Sequence, residues 1–93
     1  MRLLELKAKV KSGKENELNQ VITDLVPYFK SIPDLETDIH VHEDGVLNFK
    51  LSNSDNSKRL KEVMMNNNFV LFIGSIKVLC DNFTLNIPYN ENK

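Results

Sequence analysis

The chain has 93 residues, of which 41% are hydrophobic and 27% are charged, and its formal net charge is -1. This length predicts one domain, and this composition is typical of a soluble globular protein. The charge balance argues against nucleic-acid binding, which usually requires a basic face, and no apolar run approaches the roughly 20 residues of a membrane span.

The N-terminus and the cysteine content together predict a cytoplasmic protein. Glu5 and Lys7 interrupt any apolar run that would resemble a signal peptide. The single cysteine, Cys80, cannot form an internal disulfide, which is compatible with a reducing compartment. Because Cys80 ends an apolar segment, we expect a buried, inert thiol rather than a nucleophile.

The first elements in chain order are a strand and a helix. Apolar and charged residues alternate from Leu4 to Val10, which predicts a strand that ends at residues 12–14. Apolar residues then recur at helical spacing from Leu18 to Phe29. Pro27 lacks a backbone N–H, so we expect it to distort or end this helix.

Residues 35–42 predict a second strand with two very different faces, because side chains alternate sides along a strand. One face is an ordinary core stripe. The other carries Glu36, Asp38, His40 and His42, and these are the only histidines in the chain. Residues 43–45 contain the Asp-Gly pair of a tight hairpin turn, and a third strand follows over residues 46–52.

The last part of the chain predicts two helical segments and a final strand. The first helix is expected over residues 57–65, with Asp55 or Asn56 as its N-cap, and residues 66–68 interrupt it. A further helical turn or two then leads to Leu79. Residues 81–82 stop this segment, and residues 83–87 alternate as the final strand.

The order β-α-β-β-α-β is the ferredoxin-like split βαβ arrangement, an α+β fold with a four-stranded antiparallel sheet and helices on one face only. We expect one domain over residues 1–89 and a flexible C-terminal tail over residues 90–93. All four strands place polar side chains on the uncovered face of the sheet, which we call the open face. These residues are Glu5, Lys7, Lys9, Glu36, Asp38, His40, His42, Asn48, Lys50, Thr84 and Asn86.

Three segments give the chain a resemblance to the antibiotic biosynthesis monooxygenase family. Residues 10–18, V-K-S-G-K-E-N-E-L, are similar to the family's opening V-K-P-G-K-E-x-E-L. Residues 32–35, I-P-D-L, resemble its E-P-G-C entry to the second strand. Residues 57–69 resemble its S-x-E-A-L-x-x-H-L-x-S-P-H-F helix.

The resemblance implies a homodimer that forms a dimeric α/β barrel, in which two open faces meet and enclose cavities for aromatic substrates such as quinols. It also implies oxygen insertion that needs no metal and no cofactor. The chain departs from the family at its usual functional residues. The frequent Trp falls at Ser54, and the two helix histidines fall at Val63 and Asn68. No functional residue therefore transfers by motif, and the haem-degrading branch of the family is disfavoured.

His40 and His42 admit a metal-binding interpretation and an acid–base interpretation. An H-x-H pair on one strand face can ligate a metal together with Glu36 or Asp38, but same-face neighbours lie about 7 Å apart and a third ligand is needed, so we predict no metal site. Imidazole titrates near neutrality and can deprotonate a phenol or enol, which then reacts with oxygen.

The acid–base hypothesis assigns a role to each of six residues. His40 or His42 is the base, Asp38 or Glu36 orients it, and Lys50 or Asn48 stabilises a developing oxyanion. Two functions remain open at this point. One is a small monooxygenase-like enzyme that acts on a quinol or enol, and the other is a non-catalytic dimeric module that binds a small ligand or regulates a partner.

Overall fold

A computed structural model describes residues 2–33, 35–53 and 58–86 of the chain, without the side chains of Arg2, Lys58 and Arg59. Several predicted features lie outside these residues. They are the N-cap at Asp55 or Asn56, the helix start at Ser57, the strand end at Ile87, the domain boundary at residue 89 and the tail over residues 90–93.

Four strands and three helices form the described part of the chain. Their bounds are β1 (Arg2–Val10), α1 (Glu15–Lys30), β2 (Leu35–Val41), β3 (Val46–Asn53), α2 (Lys58–Met64), α3 (Asn67–Leu79) and β4 (Cys80–Asn86). The strands pair antiparallel in the order β2-β3-β1-β4. This confirms the predicted ferredoxin-like α+β fold. The sheet of one chain is not closed, because β2 and β4 are edge strands.

The hydrophobic core lies between the covered face of the sheet and the helices. Phe29 of α1, Phe49 of β3 and Phe72 of α3 are fully buried, and their ring centroids lie 4.7 to 5.5 Å apart. Burial alternates with exposure along β1 and β3, as the period of a strand requires. The core therefore takes one side chain in two from the central strands and leaves the other face of the sheet uncovered.

Helix α1 continues past Pro27 to Lys30, so the prediction that this proline could end the helix was wrong. Pro27 cannot donate a hydrogen bond to the preceding turn, but its carbonyl accepts one from the N–H of Ser31 at 3.0 Å. Phe29, two residues later, is fully buried against the sheet. We infer that core packing holds the last turn in place.

The α3–β4 region also differs from the predicted boundaries. Helix α3 has 13 residues rather than a turn or two, since Asn66 caps it by accepting a hydrogen bond from the N–H of Asn68 at 2.8 Å. Strand β4 begins at Cys80, so Asp81 and Asn82 lie in the strand instead of before it. Asn82 has a φ of 55°, beside a register shift between Lys7 and Lys9. This irregularity explains why residues 81–82 have the appearance of a break.

Strand β2 ends at Val41, one residue before the predicted end, and the hairpin turn begins at His42. The N–H of His42 donates to the carbonyl of Val46, and the N–H of Gly45 donates to the carbonyl of His42, both at 2.9 Å. Gly45 has a φ of 87°, a conformation that glycine adopts without strain. Among the described residues, no helix is long and apolar enough to cross a membrane.

Candidate functional site on the open face of the sheet

The strand register arranges the open-face side chains in rows that cross the sheet. One row runs across all four strands through His40, Asn48, Lys7 and Thr84, and we call it the imidazole row. The next row runs through Asp38, Lys50, Glu5 and Asn86, and we call it the ion-pair row. Neighbouring rows lie about 7 Å apart, which is two residues along a strand.

His40, His42 and Asn48 form a side-chain cluster at the end of the imidazole row. The two imidazole centroids lie 4.4 Å apart, with their planes at 83°. The side-chain amide of Asn48 donates to Nε2 of His42 at 2.7 Å. His42 accepts this hydrogen bond only in the tautomer that carries its ring hydrogen on Nδ1. The rings of His40, in β2, and of His42, at the start of the turn, are therefore in contact.

The ion-pair row holds the charges that the sequence placed near the histidines. Nζ of Lys50 lies 4.0 Å from Oε2 of Glu5, on the neighbouring strand β1. Asp38 is directly opposite Lys50 on the other side. Because both partners of the ion pair are partly exposed, its contribution to stability is small, about 0 to 1 kcal/mol. The ion pair matters for the position of Lys50, which lies between two carboxylates and not beside the imidazoles.

Glu36 lies one row further from the histidines and lines a shallow depression in the open face. This depression has a volume of about 530 Å³. Its walls are Leu3, Glu36, Thr37, Asp38, Lys50 and Ser52. The structure therefore brings His40, His42 and Asn48 into contact, puts Asp38 and Lys50 in the adjacent row, and separates Glu36 from the cluster by that row.

A second depression, of about 410 Å³, lies at the hairpin end of the sheet and was not predicted. Val10, Leu18 and Val41 contribute apolar surface to it, while Lys9, Glu15 and residues 42–45 contribute polar surface. Val41 is on the face of β2 that the sequence predicts to be a core stripe, but it is 37% exposed at this depression. His42 borders this depression and also belongs to the cluster on the open face.

Two lysines of β1 that the sequence placed on the open face, but not in the site, lie next to it. Lys7 is opposite Asn48 in the imidazole row, and its side chain is exposed. Lys9 donates a hydrogen bond to the carbonyl of Asp44 in the hairpin turn. Their positions depend on how β1 aligns with β3. That alignment joins strands distant in the chain, so the spacing of residues within one strand does not reveal it.

Two other candidate chemistries are a nucleophilic thiol at Cys80 and a metal site. Cys80 is buried, as predicted, and burial raises the pKa of its thiol, with a further rise from the neighbouring Asp81. A thiol with a raised pKa is a poor nucleophile at neutral pH. Within residues 2–33, 35–53 and 58–86, no group of three or more His, Cys, Asp or Glu side chains is placed to hold a metal ion.

Fold and site together define the class: a ferredoxin-like α+β domain whose uncovered sheet face carries a cluster of imidazole, amide and charged groups. The sequence matches no protein-family model, and no curated protein is significantly similar to it.

Solved structures with this fold include an antibiotic biosynthesis monooxygenase that is 15% identical, with a TM-score of 0.78 over 96% of this chain and 97% of that one. A Deinococcus radiodurans protein named as a candidate antibiotic biosynthesis monooxygenase is 10% identical, with a TM-score of 0.79 over 100% of this chain and 94% of its own. A Nitrosomonas europaea protein named in the same way is 12% identical, with a TM-score of 0.77 and complete coverage of both chains. At these identities the similarity establishes the fold, and at that level it supports the resemblance seen in the sequence.

Proposed function

We propose that this chain is a small monooxygenase-like enzyme that acts on a quinol or enol compound, without a cofactor, in a cavity formed where two open faces meet in a cytoplasmic homodimer. The fold supports this proposal, since solved structures named antibiotic biosynthesis monooxygenase share it along nearly their whole length. The observation that carries the proposal is the contact between His40, His42 and Asn48 on the open face.

The cluster supplies the groups that such a reaction needs. His42 is fixed by Asn48, and its ring packs edge-on against His40, so His40 is the imidazole left to take a proton from the substrate hydroxyl. The resulting electron-rich ring carbon reacts with molecular oxygen. One oxygen atom replaces two hydrogens as a carbonyl group, and the other leaves as water.

The neighbouring row supplies electrostatic control. Lys50 lies one row from His40 and faces the same side of the sheet, so its ammonium group stabilises negative charge that develops on the substrate. Asp38, two residues before His40 on the same face, is the carboxylate of the adjacent row that would orient the imidazole once substrate is bound. Glu36 lies farther away, in the depression, where it contacts the distal part of the substrate.

A non-catalytic dimeric module that binds a small ligand is the second candidate, and a specific observation favours it. The positions where the family pattern has histidines serve structure in this chain. Val63 is buried in the core, and the backbone N–H of Asn68 is bound by the cap of α3. This chain therefore has no imidazole at the two positions where the family pattern places histidines.

Oxygen consumption separates the two candidates. We expect the chain to consume oxygen with at least one member of a panel of quinols and enols. Replacement of His40 by Gln should lower kcat by about 10²- to 10⁴-fold, the range for loss of a general base. His42→Ala should have a smaller effect, because His42 acts through its contact with His40.

Lys30→Gln, at the exposed end of α1 in the helical layer, is the control and should leave turnover unchanged. No turnover on any compound, or turnover that is indifferent to both histidine substitutions, would reject the enzyme in favour of the binding module.

A further inference from the structure

Charge is unevenly divided between the two rows of the open face, and this division suggests what the site binds. Both carboxylates of the central rows, Asp38 and Glu5, belong to the ion-pair row and flank Lys50. The imidazole row has no carboxylate; its charged group is Lys7, and its other members are His40, Asn48 and Thr84. A ligand over the open face therefore meets donors and positive charge on one side, and paired charges on the other.

Among the residues that the structure describes, Lys7 is the free cation of this surface. Among the described residues, ion pairs form between Lys50 and Glu5 and between Lys14 and Glu17, and Lys7 takes part in neither. Lys9 donates to the carbonyl of Asp44, so it is engaged at the hairpin. Lys7 lies exposed on the central strand β1 and makes no such contact within the described part of the chain, so its ammonium group keeps all three donors for a ligand.

Asn48 extends the donor set from Lys7 towards His40 and the edge of the sheet. Asn48 lies between Lys7 and His40 in the register, and its amide nitrogen uses one hydrogen on His42. Asn48 Nδ2 carries a second hydrogen that can bond a ligand, while Oδ1 of the same amide is buried without a hydrogen-bond partner among the described residues. Thr84 contributes less, since its hydroxyl donates to the carbonyl of Lys7 at 3.4 Å. Adjacent strands are about 4.8 Å apart, so a two-oxygen anion can contact two of these donors at once.

We propose that Lys7 and Asn48, beside His40, form a subsite for the carboxylate of an aromatic or enolic carboxylic acid. The inference rests on the open-face site of the proposed function, and it names the chemical class of its ligand. With the carboxylate on the imidazole row, the remainder of the ligand extends over Lys50 towards the 530 Å³ depression, where Leu3 supplies apolar surface. A metal cation at the same place would be repelled by the ammonium group of Lys7.

Binding of two matched probes tests this proposal without any oxygen chemistry. Salicylate and salicylamide have nearly the same shape, and only the first carries a carboxylate. In a titration followed by ¹H–¹⁵N correlation spectra, salicylate should saturate at millimolar concentration and shift the backbone amides of residues 7, 40 and 48. Its Kd should be at least about tenfold lower than that of salicylamide, the usual effect of a charge-assisted hydrogen bond.

Variants with the same change of charge locate the subsite. Lys7→Gln should weaken salicylate binding about tenfold and remove the preference over salicylamide, while Lys30→Gln should leave both unchanged. Equal affinities for the two probes, a Lys7→Gln variant that binds as the wild type does, or no saturable binding would each overturn the proposal. Selective binding of salicylate without turnover would reject the proposed enzyme and support the subsite. Turnover of neutral quinols without a preference for the charged probe would support the enzyme and reject the subsite.

Discussion

At the scale of single residues, Thr37 is a position where one substitution should make the sheet more stable. Its side chain is on the covered side of β2, and its hydroxyl oxygen is buried without a hydrogen-bond partner among the described residues. A buried hydroxyl that lacks a partner costs about 1–3 kcal/mol of desolvation free energy. Valine has the same shape, keeps the β-branch that suits a strand and carries no polar group.

We therefore expect Thr37→Val to raise the free energy of unfolding by about 1 kcal/mol, measured by urea denaturation. Thr84→Val is the matched control, since Thr84 is exposed and its hydroxyl donates to the carbonyl of Lys7 at 3.4 Å. The free energy of unfolding of Thr84→Val should stay within about 0.5 kcal/mol of the wild-type value. A Thr37→Val protein that is less stable than the wild type would show that the hydroxyl has a partner in solution.

The same residues show how much of the site is predictable from sequence. The alternation of residues 35–42 is enough to place His40 and Asp38 on one face, and the tight turn at residues 43–45 is enough to place Asn48 opposite His40. The position of Lys7 opposite Asn48 cannot be predicted from the alternation of residues or from the turn. It depends on the pairing of β1 with β3, which core packing sets across a long stretch of chain.

At the scale of elements, the order and type of the strands and helices were predictable, while some of their boundaries were not. The periodicity of apolar residues reports which face is buried, so it identified the strands and α1. Local signals failed where tertiary packing outweighed them: Pro27 lies inside a helix anchored by Phe29, and Asp81 and Asn82 lie inside a strand with a bulge. Tertiary contacts routinely override weak local preferences of this kind.

Helix α3 is apolar on its outer side as well as its inner side, and Gly74 lies in the middle of it. Val70, Leu71 and Val78 are each more than half exposed on this outer face. Gly74 has ordinary helical geometry, and a Cβ added there would meet no atom within 4 Å. Gly45 differs in both respects, because its φ is 87° and an added Cβ would lie 3.0 Å from Cγ1 of Val10.

The two glycines should therefore respond to alanine in opposite directions. Gly74→Ala should raise the free energy of unfolding by about 0.5–1 kcal/mol, since glycine in a helix interior has a large entropic cost. Gly45→Ala should lower it by about 1–2 kcal/mol, the cost of a left-handed conformation for an L-residue. Both changes are read from urea denaturation midpoints, and stabilisation by Gly45→Ala would contradict the turn geometry described here.

At the scale of the whole molecule, the described part of the chain has two uncovered surfaces that differ in character. The open face is polar, with Leu3 as an exposed apolar residue at its edge, 42% accessible. The outer face of α3 is apolar, and Val70 there is 59% accessible. A 93-residue chain buries a modest fraction of its surface, so association through one of these faces would add substantially to its stability. The proposed function requires the open face to be that surface.

A matched pair of charge substitutions tests which face associates. We expect light scattering to report twice the 10.7 kDa chain mass for the wild type. Leu3→Asp should shift the protein to the monomer mass, because an aspartate on the open face loses its hydration when a second sheet covers it. Val70→Asp makes the same kind of change on α3 and should leave the dimer intact. Dissociation by Val70→Asp alone would place the interface on the helical layer, and the shared cavity between two open faces would then have no basis.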